Sequence, residues 1–239
     1  MNNSASLALI DSVVAPNATI LALEMVEIAL DSILKSGILK DIPFISWMVK
    51  SHAIITGIRD RTFLKKLGLF LMEASQLSEE ERVKFEEKLQ EDPEFAESTG
   101  ENVLLLLDKF SEIEKARLMG YAFRRFVQGH IDSTILSRIY AGLEFMPYWQ
   151  FCDLPMYYFE RGLAAMGQGA VNSYLNLWLI EVYYGDKDSR LHFSEEGESG
   201  FISYHQPFYR KTPVGLTIAR LIQEYLDEPN KLDPIQKTH

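Results

Sequence analysis

Few residues of this sequence combine side chains and spacing that suit chemistry. His192 and His205 fall in one expected hairpin, but no carboxylate stands at metal-ligand spacing beside them. His130 and Asp132 stand at a helix start, where capping is the usual role. Cys152, the single cysteine, lies among aromatic residues, which is typical of a small buried apolar side chain. These residues predict no catalytic, cofactor or metal site.

A run rich in Asp and Glu extends from Glu79 to Glu101. Carboxylates in such numbers can hold divalent metal ions. However, Arg82, Lys84 and Lys88 are interleaved with them at helical spacing, which is typical of a solvated helix face. We therefore expect an exposed helix here and no metal site.

Composition sets the broad class of the protein. The 239 residues are 47% hydrophobic and 24% charged, as in folded globular proteins, with a net charge of −10. The negative charge is spread along the chain, which disfavours nucleic-acid binding. No glycine-rich phosphate loop or nucleophile elbow is present. One cysteine allows no intrachain disulfide, and no window reaches the ~18 apolar residues of a membrane span. We favour a cytoplasmic protein that is not an enzyme; the alternatives are contact with the periphery of a membrane and an active site assembled from scattered residues.

Helical periodicity dominates the part of the sequence from Arg59 to Phe145. An apolar stripe predicts an amphipathic helix that contains Phe63, Leu64, Leu67, Leu71 and Met72. Ser78 with Glu81, and Ser111 with Glu114, have the spacing of capping boxes at helix starts. Gly100 and Gly129 are expected at helix ends. Asp92-Pro93 and Asp132 each predict the start of a further helix, the second of which runs to Phe145.

The N-terminal part is predicted to begin with helices between residues 7 and 39. The segment 42–58 is the most apolar of the chain and predicts a buried core helix, with an interfacial segment as the alternative. A basic cluster follows it, formed by Arg59, Arg61, Lys65 and Lys66. On a helical wheel these cations fall into two pairs, Arg59 with Lys66 and Arg61 with Lys65, which cannot line one flat surface. We expect each pair to be an exposed docking surface for carboxylates of a partner or of the 79–101 run.

The C-terminal part changes character. A helix over Ala170–Val182 is expected to bury Trp178 with Val171, Leu175 and Leu179. Residues 190–193 and 201–204 read as two strands of a hairpin, so that the sheet lies within about 188–211. Thr212 and Pro213 then cap and open a final helix.

The order helix, hairpin, capped helix resembles the end of a winged-helix domain over roughly residues 150–226. That family often closes its wing with Tyr-x-x-Thr-x-x-Gly, and Tyr209, Thr212 and Gly215 stand at those positions. The resemblance implies that the helix 170–182 lies where DNA-binding members place their recognition helix. Here that helix has no Lys or Arg, and Glu195, Glu196 and Glu198 occupy the wing tip. Protein contact is therefore expected in place of DNA reading.

The N-terminal two-thirds resembles a group of uncharacterised bacterial helical proteins. The matching features are Ile42-Pro43, the run from Ile58 to Lys66, and the helix start from Ser78 to Arg82. The resemblance implies a setting in phage defence or mobile elements and supplies no catalytic residues.

The sequence thus predicts a mainly α-helical fold, with a helical domain over 1–146 and a small winged-helix-like α+β module over 147–239. The expected function is that of a non-enzymatic interaction or regulatory protein with a protein partner or a second copy of itself. The alternatives are a membrane-associating effector that uses residues 42–66 and a winged-helix transcription regulator.

Overall fold

The computed structural model describes residues 4–27, 41–50, 58–183 and 208–228. This part of the chain is mainly helical, with a two-stranded antiparallel sheet near its C-terminal end. The chain divides into two compact units. Unit 1 comprises Met1–Tyr148 and Glu224–His239, and unit 2 comprises Trp149–Gln223.

Unit 1 is built from helices. They are α1 (Ala5–Val14), α2 (Ala18–Glu27), α3 (Pro43–Lys50), α4 (Ile58–Ala74), α5 (Glu79–Glu91), α6 (Pro93–Lys109), α7 (Glu114–Val127) and α8 (Ser133–Phe145). A short helix, α9 (Tyr148–Cys152), follows. No strand occurs in the described residues before Ile180, as the helical periodicity predicted.

Several helix ends form where local sequence signals place them. The Ser78 side chain accepts from the Glu81 amide, while the Glu81 carboxylate accepts from the Ser78 amide at 2.7 Å, which confirms the capping box. Asp92 caps α6, with Pro93 in its first turn. Gly129, at φ 75°, ends α7, and the amide of His130 reaches the Arg125 carbonyl.

Two of the predicted helix boundaries are wrong. The residue that precedes α7 is Ile113, which makes no side-chain cap, so Ser111 and Glu114 form no capping box. Gly100 lies inside α6, where a Cβ atom would fall on the backbone of Ser6. It is a contact point between α6 and the start of α1, and not a helix end.

The core of unit 1 lies around α4, which packs against α2 and α7. The rings of Phe70 and Phe123 meet at 5.6 Å, and Phe85 contacts Phe123 from α5 at 5.8 Å. Most of the predicted α4 stripe is buried, namely Leu64, Leu67, Leu71 and Met72. Helix α1 packs against α3 and α6 and completes this unit's apolar interior.

The apolar segment 42–58 is described in part. Helix α3 buries Phe44 and Ile45, while Val49 is 48% exposed. The Phe44 amide donates to the Ser12 hydroxyl at 2.9 Å, which ties α3 to α1. Residues 51–57 lie outside the described part of the chain. Within that part, no single helix is long and apolar enough to cross a membrane. The two helical stretches Ala5–Val14 and Ala18–Val26, bent by 112° relative to each other, are together long and apolar enough to do so.

Unit 2 contains a π-helical turn (Met156–Glu160), a 3₁₀ turn (Leu163–Ala165), α10 (Gln168–Asn176), β1 (Ile180–Tyr183), β2 (Phe208–Lys211) and most of α11 (Pro213–Asp227). The strands are antiparallel, with Ile180 opposite Lys211 and Tyr183 opposite Phe208. Thr212 caps α11 by accepting from the Gly215 amide at 2.9 Å, as its sequence predicted.

The expected helix over 170–182 needs correction. Helix α10 ends at Asn176, and 180–183 form a strand. The sheet therefore begins before the expected window of 188–211. The strands expected at 190–193 and 201–204, together with His192 and His205, lie outside the described residues.

Candidate functional site

The described members of the basic cluster predicted from the sequence differ in exposure. Arg61 is exposed and Lys65 is half-buried, but Lys66 is only 4% exposed. The side chain of Arg59 lies outside what the structure describes. The expectation that all four cations are exposed is therefore wrong at Lys66.

Lys66 has a structural role at the end of α6. Its ammonium donates to the carbonyl of Phe110 at 2.9 Å and to that of Asp108 at 3.4 Å. The last carbonyls of a helix lack partners within the helix, and a cation there also complements the helix dipole. Docking through this cluster remains a prediction for its exposed members.

The turn between α10 and β1 holds a residue with an unusual backbone conformation. Trp178 has φ 59°, in the left-handed region, and its side chain is 67% exposed. Asn17 also has a positive φ, but asparagine tolerates this region, whereas a bulky aromatic residue there is an outlier. The sequence pattern placed Trp178 on a buried helix face, and this is wrong.

Hydrogen bonds from several elements fix this turn. The Trp178 amide donates to the Leu175 carbonyl at 3.0 Å, and the Leu179 amide donates to Tyr174 at 2.9 Å. The Thr212 hydroxyl lies 2.8 Å from the Trp178 carbonyl oxygen. Because the amides and carbonyls of Trp178 and Leu179 have partners in other elements, the surrounding fold imposes the left-handed conformation on Trp178.

Close packing behind the turn explains two residues of the winged-helix-like pattern. Tyr158 donates its hydroxyl hydrogen to the Leu179 carbonyl, and Thr212 lies 3.0 Å from the same oxygen. A Cβ atom at Gly215 would overlap both that carbonyl and the Tyr158 hydroxyl. Thr212 and Gly215 are therefore required by this local packing.

Other aromatic side chains of unit 2 are also exposed. The set comprises Trp149, Phe159, Trp178, Tyr183 and Phe208, each at least 42% exposed. Tyr183 and Phe208 are opposite each other in the strand ladder, and the Arg210 guanidinium lies 5.3 Å from the Tyr183 ring centre. Such residues are enriched at the centres of protein interfaces.

A second candidate site lies in unit 1, in a groove of 440 Å³ between one face of α6 and one face of α8. We call it the α6–α8 groove. On α6 the lining face extends from Phe95 to Lys109, and on α8 from Ser133 to Glu144. Its walls combine leucine side chains with small hydroxyl-bearing residues. Leu105 lines it and is 53% exposed.

Tyr140 is the chemically distinctive residue of the groove lining. Its hydroxyl oxygen is buried and makes no hydrogen bond to any described group. Burial raises the pKa of Tyr140 well above its usual value. It therefore stays a neutral phenol that can donate one hydrogen bond.

The charged residues of the groove lining, Lys109 and Glu144, pair with each other. The Lys109 ammonium lies 2.8 Å from a carboxylate oxygen of Glu144, which joins the C-terminal ends of α6 and α8. At the other end the Lys88 ammonium lies 4.6 Å from the ring centre of Phe95 and 4.9 Å from that of Phe126.

Among the residues that the structure describes, no group of three or more His, Cys, Asp or Glu side chains is arranged to hold a metal ion. His130 is exposed and Asp132 caps α8 by accepting from the Ile135 amide. Cys152 is half-buried.

Comparison with protein-family models, with curated proteins and with solved structures finds no match to this chain.

Sequence reasoning missed both candidate sites for a common reason. Trp178 fits the helical apolar period, and Tyr140 is one more semi-polar residue on a helix. Their unusual states, a left-handed backbone and an unpartnered hydroxyl, depend on residues distant in the sequence. The one available signal for the groove is the serine and threonine content of the lining faces of α6 and α8.

Proposed function

We infer that the protein is a non-enzymatic interaction protein that contacts a protein partner, or a second copy of itself, through the exposed aromatic residues of unit 2. The observation that carries this proposal is Trp178. It combines a left-handed backbone with an indole that is two-thirds exposed.

This combination is unfavourable for the isolated chain. A non-glycine residue in the left-handed region costs roughly 1–2 kcal/mol. Leaving a large apolar side chain in water forgoes the ~1.5–3 kcal/mol that burial of such a group supplies. Glycine or asparagine would satisfy the turn at lower free energy. A partner that buries the indole offsets both costs, since Trp is the residue type most enriched at binding hot spots.

The winged-helix-like arrangement is part of this proposal. The order α10, β1, β2, α11 supports it, together with the Thr212 cap and the close approach at Gly215. In this arrangement α10 corresponds to the recognition helix, and its nine residues contain no lysine or arginine. Phosphate contacts depend on such residues. Use of the module for protein contact is therefore favoured over the transcription-regulator alternative.

The test compares the native chain with Trp178→Asn, because asparagine accepts the left-handed backbone and removes the indole. Both proteins are used as bait in extracts of the source organism, with quantitative mass spectrometry of what they retain. Sedimentation velocity over a range of concentrations covers self-association. We expect Trp178→Asn to lose the specific partner or the dimer.

Phe145→Asn provides the matched control, since Phe145 is 76% exposed but belongs to unit 1. It should retain the partner. Equal retention by the native chain and Trp178→Asn, with unchanged sedimentation, would contradict the proposal.

A further inference from the structure

We propose that the face of α7 formed by Tyr121, Arg124 and Arg125 is a binding site for an acidic helical segment of a partner protein. In the free chain the last turn of α11, from Glu224 to Glu228, occupies this face. We call this turn the acidic latch. The face and the latch both belong to unit 1. They share no residue with the exposed aromatic residues of unit 2, so this site is separate from the contact proposed above.

The latch itself shows the chemistry that the face accepts. One terminal nitrogen of Arg124 lies 2.9 Å and 3.2 Å from the two carboxylate oxygens of Glu228. A terminal nitrogen of Arg125 lies 2.9 Å from a carboxylate oxygen of Glu224. Because Glu224 and Glu228 are four residues apart on a helix, both carboxylates point to the same side. The face therefore accepts two carboxylates spaced by one helical turn, and arginine clusters commonly recognise acidic motifs in this way.

An aromatic contact adds to this specificity. The ring centres of Tyr121 and Tyr225 lie 5.3 Å apart, and the Arg124 guanidinium lies 4.9 Å from the centre of the Tyr121 ring. Tyr121 thus contacts a cation of the face and a ring of the latch together. The face favours a segment with an aromatic residue directly after its first carboxylate, as in Glu224-Tyr225.

Contacts outside the latch hold the Arg124 guanidinium in place. Its second terminal nitrogen donates to the Gln76 side chain at 2.8 Å, and Glu73 lies 3.7 Å away. Glu73 also pairs with Arg117 at 2.8 Å, so its charge is shared between two cations. Arg124 is 8% exposed, and a buried cation needs an opposite charge close by. The face is therefore held ready for a carboxylate in front of it.

The latch is weakly held from its own side. The side chains of Glu224 and Glu228 are 52% and 48% exposed, so water and salt compete for their carboxylates. The last turn of α11 has no basic residue, and carboxylates at the C-terminal end of a helix oppose the helix dipole. Like charges four residues apart also repel each other. A partner segment that carries its carboxylates away from a helix C-terminus avoids these costs and can replace the latch.

A fluorescein-labelled peptide with the sequence of residues 213–228 tests the site by fluorescence anisotropy. In the double variant Glu224→Lys with Glu228→Lys, repulsion from Arg124 and Arg125 opens the latch, while lysines suit the C-terminal end of α11. We expect this variant to bind the peptide at least about ten-fold more tightly than the native chain, since two ion pairs no longer compete. No gain in affinity would overturn the proposal.

Two further variants control for net charge and localise the peptide. Glu87→Lys with Glu91→Lys makes the same change of charge at exposed positions of α5, four residues apart, and should bind the peptide as the native chain does. Adding Arg125→Gln to the double variant should remove the gain in affinity. Arg125 is partly exposed, so this change is compatible with folding, which circular dichroism checks. An equal gain in the α5 variant, or a gain that survives Arg125→Gln, would overturn the site.

The peptide and the state of association complete the test. A peptide with glutamine in place of both glutamates should bind the double variant at least about ten-fold more weakly, and added NaCl should weaken the acidic peptide. Equal binding of the two peptides would overturn the acidic preference. Sedimentation velocity separates the partner from a second copy of the chain. A dimer of the native chain that Arg125→Gln abolishes would assign the face to a second copy and overturn the proposed partner.

Discussion

The ammonium of Lys66 lies 2.9 Å from the carbonyl oxygen of Phe110, a residue 44 positions further along the chain. This bond connects the middle of α4 to the end of α6. It places a buried cation where the peptide carbonyls of a helix terminus point.

Replacing Lys66 by methionine should lower the free energy of unfolding by about 1–3 kcal/mol, since the carbonyls of Phe110 and Asp108 lose their buried donor. Lys66→Glu should cost more, because it puts a negative charge at the negative end of a helix. Urea unfolding monitored by circular dichroism measures both. Arg61→Glu, at an exposed position of the same helix, should change stability by less than about 1 kcal/mol. Equal effects at positions 61 and 66 would refute the buried role.

Arg117 is expected to be essential for the pairing of Glu73. Glu73 is 3% exposed, and its carboxylate lies 2.8 Å from Arg117 Nε and 3.7 Å from Arg124. Arg117→Met leaves the buried carboxylate short of a partner and should cost about 3–5 kcal/mol in urea unfolding. The double variant Glu73→Gln with Arg117→Met should recover part of that loss. A double variant no more stable than Arg117→Met alone would contradict this view.

Trp178→Gly should stabilise the isolated protein by about 1 kcal/mol, because glycine adopts the left-handed backbone without a Cβ penalty. Trp178→Ala removes the indole but keeps the Cβ atom, so it should show no such gain. Thermal unfolding of the three proteins at equal concentration separates these effects. A gain in the alanine variant equal to that in the glycine variant would show that the backbone is unstrained.

Gly100→Ala should destabilise the protein by about 1–3 kcal/mol, although alanine is the better helix former. The added methyl group would meet the backbone of Ser6, which cannot move away as a side-chain end can. Gly169→Ala, in α10, meets nothing within 4 Å and should gain up to about 1 kcal/mol. Chemical denaturation of both variants checks the contrast, and a stabilised Gly100→Ala would show that α1 and α6 are not in contact there.

Stability should fall in alkali, and Tyr140 should contribute to the fall. Burial raises the pKa of Tyr140 above the 10.0 of an exposed tyrosine, so the unfolded chain loses this proton first. The contribution is fully present below about pH 10 and is lost as the pH rises beyond it. Tyr121, with a pKa raised to about 12 by burial, acts in the same direction. Tyr140→Phe should therefore flatten the decline between about pH 10 and pH 12 in urea unfolding. An unchanged slope would contradict burial of this hydroxyl.

Sequence reasoning succeeded where structure depends on neighbours along the chain. The capping box of Ser78 and Glu81, the start at Asp92-Pro93 and the cap at Thr212 are all formed within one helical turn. Sequence reasoning failed where residues distant in the chain determine the local structure. In the sequence, Gly100 has the residue type expected at a helix end. The fold shows that glycine is needed there because the backbone of Ser6 lies against it.

The surroundings of Lys66 and Trp178 likewise depend on residues distant in the sequence. Lys65 and Lys66 are chemically the same in the sequence. In the fold, Lys66 is the buried one, and its ammonium reaches the carbonyl of Phe110. The helix expected through Trp178 stops at Asn176, and the Trp178 carbonyl accepts instead from Thr212, 34 residues away. The hydrophobic period of a helix carries no information about such bonds.

The carbonyl of Leu179 accepts hydrogen bonds from two hydroxyl groups. One belongs to Tyr158, earlier in the chain, and the other to Thr212, later in the chain. During synthesis on the ribosome, Tyr158 and Leu179 leave the exit tunnel well before Thr212 and Gly215. Unit 2 therefore cannot complete its interior until residue 215 has emerged, while the helices up to Phe145 are already free to pack. Nascent chains stalled before residue 212 should expose the Tyr158 region to proteases, and chains released after residue 228 should protect it.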